Sequence, residues 1–318
     1  MTLFDPEPAA RTESAPAAGG LDHDAGVTSN RAGSHERPAK QTPEGVVRMR
    51  LVVAYDGSGY RGFAAQDGQR TVAGVLSDAI STVARHRVEL VCAGRTDAGV
   101  HASGQVVHVD VREDLSPERL SKAVNAMLGP AVVVRSAAPA PPGFDARRSA
   151  VWRRYRYLVW SSRTPDPLLA PMAWHVRDQL ELKSMACASD SLLGEHDFAA
   201  FCRRPPGVPA GQPIPRRVLD ARWSKLRVDD LELPTGLEMP GAPEPPKPPE
   251  PPGALLRFDI SAESFCHQMV RSIVGTLVDV GRGRRRASDV TGLLASRDRA
   301  QATTIAPPQG LCLVGVGY

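Results

Sequence analysis

One carboxylate is set apart by its neighbours. Asp97 lies in the stretch Val91-Cys-Ala-Gly-Arg-Thr-Asp-Ala-Gly-Val-His-Ala-Ser-Gly-Gln-Val-Val-His-Val109. The flanks Arg87–Ala93 and Gln105–Val111 are apolar, β-branched and short, which predicts two strands with Asp97 on the turn between them. Gly94 and Gly99 let the backbone turn sharply and let a ligand approach without meeting a side chain. Arg95, two residues away, can hold the carboxylate ionised. An ionised carboxylate so presented can bond covalently to carbon. Asp and Gly are equally ordinary turn residues, so this stretch alone leaves a purely structural turn open.

Two further segments carry groups suited to chemistry. Trp152-Arg-Arg-Tyr-Arg-Tyr157 interleaves arginines with aromatics on a predicted strand, where alternation puts Tyr155 with Tyr157 and Val159, and Arg154 with Arg156 on the other face. Aromatic faces stack on unpaired bases and arginines neutralise phosphates; the alternative is an edge strand whose tyrosines pack on the core. Phe265–Val278 has apolar residues at 266, 269, 270, 273, 274 and 277, the spacing of a buried helix face. His267 and Arg271 share a different side of that helix, four residues apart. An arginine there must find solvent or a carboxylate, and Asp97 is a candidate. The basic turn Gly281-Arg-Gly-Arg-Arg-Arg286 suits a phosphate backbone or plain solvation. His101 and His108, with Asp97 and Asp110, do not complete a coordination shell, so no metal site is expected.

These residues need elements to position them. Residues 1–45 are rich in Ala, Gly, Pro, Ser and charge and predict a disordered tail. From 46 to 150 the pattern predicts strand (46–55), helix (71–85), two strands around Asp97, helix (117–128, capped by Ser116) and strand (131–136). From 151 to 318 the order recurs: strand 152–160, helix 179–193, strands 216–227 and 254–262, helix 265–280, strand 311–317, plus a short helix at 288–296. Two tandem ferredoxin-like (split βαβ) halves in an α+β fold are the economical reading. A Pro-rich run at 233–253 reads as a loop inserted in a hairpin of the second half.

Composition bounds the partners. With 318 residues, a formal charge of +4 and a pI near 8.9, the chain can bury a large core and suits a partner that carries phosphates. Its five cysteines, at 92, 187, 202, 266 and 312, form no Cys-x-x-Cys pair and suggest neither a disulfide framework nor a zinc site, so a reducing cytoplasm is the expectation. No apolar run approaches membrane-spanning length.

The string Ala93-Gly-Arg-Thr-Asp-Ala-Gly-Val-His101, followed by Gly104-Gln-Val-Val-His108, resembles the catalytic segment of the tRNA pseudouridine synthase A family. Further matches, in the family's order, are Tyr55-Asp-Gly57, Phe144-x-Ala-Arg147 with Ser149-Ala150, Arg153-Arg-Tyr-Arg-Tyr157, Gly194-Glu-His-Asp-Phe198, Met269-Val-Arg271 with Ile273-Val-Gly275, and Ala306-Pro-x-x-Gly310-Leu311. The resemblance implies one continuous, mostly antiparallel sheet, a homodimer, and isomerisation of uridine to pseudouridine at positions 38–40 of the tRNA anticodon stem-loop. It implies Asp97 as nucleophile, Tyr155 stacked on the target uracil, Arg271 paired with Asp97, and Arg95 displacing or replacing the flipped base. An isomerisation needs no cofactor, metal or nucleotide, so none is expected. Ala64, Ala73 and the stretch Phe265-Cys-His-Gln268 depart from the family's usual residues, and Asp97, Tyr155 and Arg271 do not.

Two other classes compete. Tandem split βαβ units also describe paired RNA-recognition domains, but those carry an aromatic-rich central strand, and Gln105–Val111 has no aromatic residue. A glycoside hydrolase would want two acidic groups facing each other across a cleft, and only Asp97 is compelling.

Overall fold

A computed structural model describes residues 45–204, 209, 212–226, 253–302 and 304–318. The predicted N-terminal tail and nearly all of the Pro-rich insertion lie outside them.

Local signals place the first elements closely. β1 (Val46–Tyr55) buries every second residue from Met49 onward, the mark of a strand covered on one face. α1 (Val72–Ala84) starts where the Thr71 hydroxyl accepts the Gly74 N–H, and α2 (Pro117–Leu128) where the Ser116 hydroxyl accepts that of Arg119. β3 (His101–Arg112) pairs with β1, and β4 (Val132–Pro139) with its other edge. Only Val91–Cys92 of the expected strand at 87–93 pairs, as β2 on β3. The Val88 N–H instead donates to the Ser81 hydroxyl of α1, which draws the start of that segment off the sheet.

The second set repeats the plan. It runs β5 (Trp152–Ser162), β6 (Trp174–Val176), α3 (Leu182–Asp190), β7 (Gly194–Asp197), β8 (Pro215–Leu226), β9 (Gly253–Ala262), α4 (Met269–Gly281), α5 (Asp289–Ser296) and β10 (Leu311–Gly317). The sheet order β4-β1-β3-β10-β5-β9-β8-β7, with β2 on β3 and β6 on β5, holds ten strands. Within it β4-β1-β3-β2 and β10-β5-β9-β8 are the same split βαβ order twice, all antiparallel. The fold is thus the expected α+β architecture of two ferredoxin-like halves sharing one mostly antiparallel sheet. The halves meet where β3 and β10 run parallel, in register at His101↔Cys312 and Ala102↔Leu313.

Several local expectations are corrected. α4 begins at Met269, four residues later than the apolar spacing suggests, because Gln268 takes a left-handed conformation (φ 64°). Cys202 and Cys266 form a disulfide across 64 residues, where the cysteine spacing suggested none. β6 and β7 were not expected; each is short and lacks the alternating apolar pattern that marks a strand in sequence.

One core lies beneath the helices, with Tyr155, Tyr157 and Val159 of β5 in it. On the opposite face Leu158, Trp160, Leu169, Ala173 and Leu255 make a second cluster, and Ala93, Val106, Phe144 and Ala146 a third. All of α4 except Arg271 is buried. No described helix is long and apolar enough to cross a membrane.

Two outcomes follow from this packing. A Cβ on Gly104 would stand 2.4 Å from the Val314 carbonyl oxygen at the seam. Gly104→Ala is expected to destabilise by ~1–3 kcal/mol, the usual scale for overpacking, read as a lower urea midpoint. His108 accepts the Ala146 N–H at its Nδ1, and burial, aided by the Arg48 charge, holds its pKa below the usual 6.5. The unfolded chain therefore binds the extra proton first. Stability from this group is full above pH 6.5 and is lost as pH falls through the lower folded value. His108→Asn, whose amide oxygen can still accept that N–H, should flatten the fall in Tm between about pH 7 and pH 5, a range set by the ordinary histidine pKa.

Candidate active site

The loop that presents Asp97 is fixed from several sides. Beneath it, the Tyr55 hydroxyl bonds the Thr96 hydroxyl at 2.8 Å, and the fully buried Gln105 donates from Nε2 to the Gly94 carbonyl at 2.7 Å. Beside it, the Phe63 N–H donates to the Thr96 carbonyl, and the Arg153 guanidinium donates to the Ala93 carbonyl. Gly99 holds φ +77°, and a Cβ there would strike Pro308 at 2.9 Å, so only glycine closes this turn against the C-terminal segment. With the backbone so constrained, the Asp97 side chain is left 24% exposed and free to face the start of α4.

Arg271 comes from that helix. Its Nη1 donates to Asp97 Oδ2 at 3.1 Å, and its Nε to the Ala306 carbonyl at 2.8 Å, while the Ala306 N–H returns a bond to the Arg271 carbonyl. The guanidinium is thus held on two sides, and the carboxylate meets it across 174 residues of sequence. The remaining oxygen, Oδ1, faces His267 Nε2 at 3.4 Å. His267 precedes α4 rather than lying within it, so the helical four-residue spacing is not what brings it beside Arg271.

Tyr155 sits at the floor of this group. Its ring is only 8% exposed and meets Phe265 edge-on at 5.1 Å between centroids. Burial, and next the Asp97 charge, push its hydroxyl well above the ordinary tyrosine pKa, so it stays protonated at neutral pH. Arg95 is exposed, and Asp97 meets Arg271 and His267 rather than it. The cation that meets Asp97 is therefore Arg271, not its sequence neighbour.

The arginines of β5 have other duties. Arg153 spends both terminal nitrogens on four backbone carbonyls, of Ala93, Arg147, Ala150 and Glu263. Arg156 is 6% exposed and pairs with Asp259 at 2.8 Å, and Arg154 lies over the Trp152 ring. Arg153 and Arg156 are thus taken, by backbone carbonyls and by Asp259. In the basic turn, Arg282 pairs with Asp178 and Asp279, and Arg285 donates to the Gln301 carbonyl. Arg284 reaches the same Asp279 at 4.0 Å, with its side chain 63% exposed. No cluster of three or more His, Cys, Asp or Glu able to hold a metal occurs among the described residues.

Sequence reasoning singled out Asp97 and Arg271, but Tyr55, Thr96, Gln105 and Arg153 entered it only within matched strings, with no hint that they support the loop. Tyr55 and Gln105 lie in strands where alternation marks them only as inward, and nothing local reveals what they bond. The whole arrangement is a carboxylate clamped by one guanidinium, faced by an imidazole, over a buried aromatic floor. It can attack an electrophilic carbon.

Comparison with known proteins supplies the context. A family model described as tRNA pseudouridine synthase matches residues 51–147 and 188–318. The tRNA pseudouridine synthase A of Frankia casuarinae is 41% identical over 279 residues, covering 86% of this chain and 90% of that one. The proteins of the same description from Methylobacterium nodulans and Cutibacterium acnes are each 40% identical, covering 85% and 86% of this chain and 96% and 89% of their own.

The support beneath the loop is testable by itself. Gln105→Leu keeps the volume near constant but leaves the Gly94 carbonyl without its donor. A loss of about 1–3 kcal/mol in urea unfolding is expected, the cost of an unsatisfied buried group.

Proposed function

The chain belongs to the tRNA pseudouridine synthase family, and from that premise we propose that it converts uridine to pseudouridine at positions 38–40 of the tRNA anticodon stem-loop, with Asp97 as the nucleophile. As a family member it is an isomerase acting on tRNA. The observation that carries the finer reading is the Asp97 carboxylate, held by Arg271 at 3.1 Å and 24% exposed.

The reaction breaks the N1–C1′ glycosidic bond, turns the uracil, and joins C5 to C1′. Asp97 bonds a substrate carbon: at C1′ of the sugar it displaces N1 of uracil, and at C6 of the base it adds across the C5–C6 double bond, so one fragment is tethered to the enzyme while the ring is turned. Arg271 fixes the carboxylate's direction. Because the target base must leave its stack, a platform and a replacement are useful. Tyr155, beside Asp97 and against Phe265, supplies the platform; Arg95, exposed on the same loop, takes the vacated space in the RNA. No cofactor, metal or nucleotide enters this scheme.

The formal charge of +4 and the exposed arginines at 95 and 284 suit a polyanionic partner. In the same reading the enzyme works as a homodimer, with residues 46–150 and 151–318 as its two structural units. A non-catalytic RNA-binding role is disfavoured by family membership and by the clamped carboxylate.

Asp97→Asn should abolish product, by roughly 10⁴-fold or more, the scale on which loss of a central catalytic group is felt, while tRNA affinity is retained. Chemical mapping of pseudouridine on unmodified tRNA, with filter binding in parallel, measures both. Turnover persisting in that variant, or wild-type product appearing away from the anticodon arm, would defeat the assignment.

A further inference from the structure

His267 is placed with more care than a surface histidine needs. Three described non-glycine residues have positive φ: Arg85, Gln268 and Arg297. Arg85 and Arg297 close the C-termini of α1 and α5, where a left-handed residue is ordinary. Gln268 opens α4 instead, a position that normally takes extended backbone and a capping side chain, and it makes no such cap. A left-handed residue at a helix start, beside a reactive carboxylate, is the kind of local strain that surrounding structure must impose.

The surroundings do impose it. Cys266 is bonded to Cys202, the His267 carbonyl accepts the Arg203 N–H at 2.9 Å, and Gln268 Oε1 accepts from Arg299 Nη2 at 2.8 Å. Both neighbours of His267 and its own backbone are thus tied down. Its imidazole is not: it is 47% exposed, and its Nε2 faces Asp97 Oδ1 at 3.4 Å, on the side away from Arg271. The consequence of the strain is to aim one ring nitrogen at the atoms that meet substrate.

Isomerising uridine leaves one proton to be moved. Once C5 has bonded to C1′, C5 still carries its hydrogen, and N1, freed from the sugar, lacks one. We propose that His267 is a second catalytic group that carries this proton: neutral imidazole Nε2 takes the hydrogen from C5 as its bonding electrons return to the ring, and the resulting imidazolium gives a proton to N1. One proton leaves carbon and one reaches nitrogen, and the imidazole ends as it began. This rests on the reading of Asp97 given above, since the uracil comes within reach of Nε2 only by engaging that carboxylate.

The test uses full-length enzyme and a tRNA transcript made with either ordinary or 5-deuterated uridine, followed in single turnovers. Wild-type enzyme is measured first; if it forms no pseudouridine, the proposed function falls, and this inference with it. Given wild-type product, His267→Gln should slow the reaction by about 10²–10⁴-fold, the range for a lost general acid–base group. Its deuterium isotope effect should exceed that of wild type, because removal of the C5 hydrogen becomes limiting. Added imidazole should restore turnover in His267→Ala. Turnover by His267→Gln at the wild-type rate would overturn the proposal. So would a slower reaction with an unchanged isotope effect and no response of His267→Ala to imidazole, which would make His267 only a support for Asp97.

Discussion

The structure turns on an ion pair between residues that belong to different halves of the chain. Asp97 is delivered by the β2–β3 loop of the first half, and Arg271 by α4 of the second. Neither half alone contains the pair. A partly buried carboxylate and guanidinium stabilise each other only at hydrogen-bond distance, and each becomes a desolvated, uncompensated charge when the other is withdrawn. The site therefore exists only while the two halves share one sheet, and the short parallel register of β3 and β10 is what holds them to it.

Around that pair the molecule spends its polar groups on position. Tyr55, Thr96 and Gln105 hold the loop from below, Arg153 gathers four carbonyls from three segments, and Ala306 fixes both the backbone and the guanidinium of Arg271. The Tyr157 hydroxyl donates to the Pro307 carbonyl, which anchors the C-terminal segment that carries Ala306. These bonds lie in or next to the buried core, where hydrogen bonds are strong and misplacement is costly. The carboxylate is consequently aimed by the fold rather than by the flexibility of its own side chain.

Much of this was legible in the residues. β1, α1, α2, α5 and β10 fall within a residue of where periodicity and capping put them, because those signals are local. Asp97 and Arg271 stood out as a turn-borne carboxylate and as an arginine in an otherwise apolar helix, and each needed a partner that the other could be. What stayed hidden depends on distant neighbours. The left-handed Gln268 is set by Cys202, Arg203 and Arg299, all far off in sequence, so the start of α4 could not be read from its own pattern. The arginines of β5 looked suited to phosphate, but Asp259 and the backbone carbonyls that claim two of them lie on other segments.

The hairpin of β8 and β9 has a consequence of its own. Its strands are joined through residues 227–252, which leave after Leu226 and return at Gly253, opposite Ser162 of β5. The reactive end of the same sheet is marked by Ala262 against Arg153, nine residues further along β9, or roughly 30 Å at the rise of an extended strand. That separation makes the far end of the two strands a natural attachment point: a dye, a tether or a surface anchor grafted on the exposed Lys225 would report on the enzyme from the far end of a stiff lever.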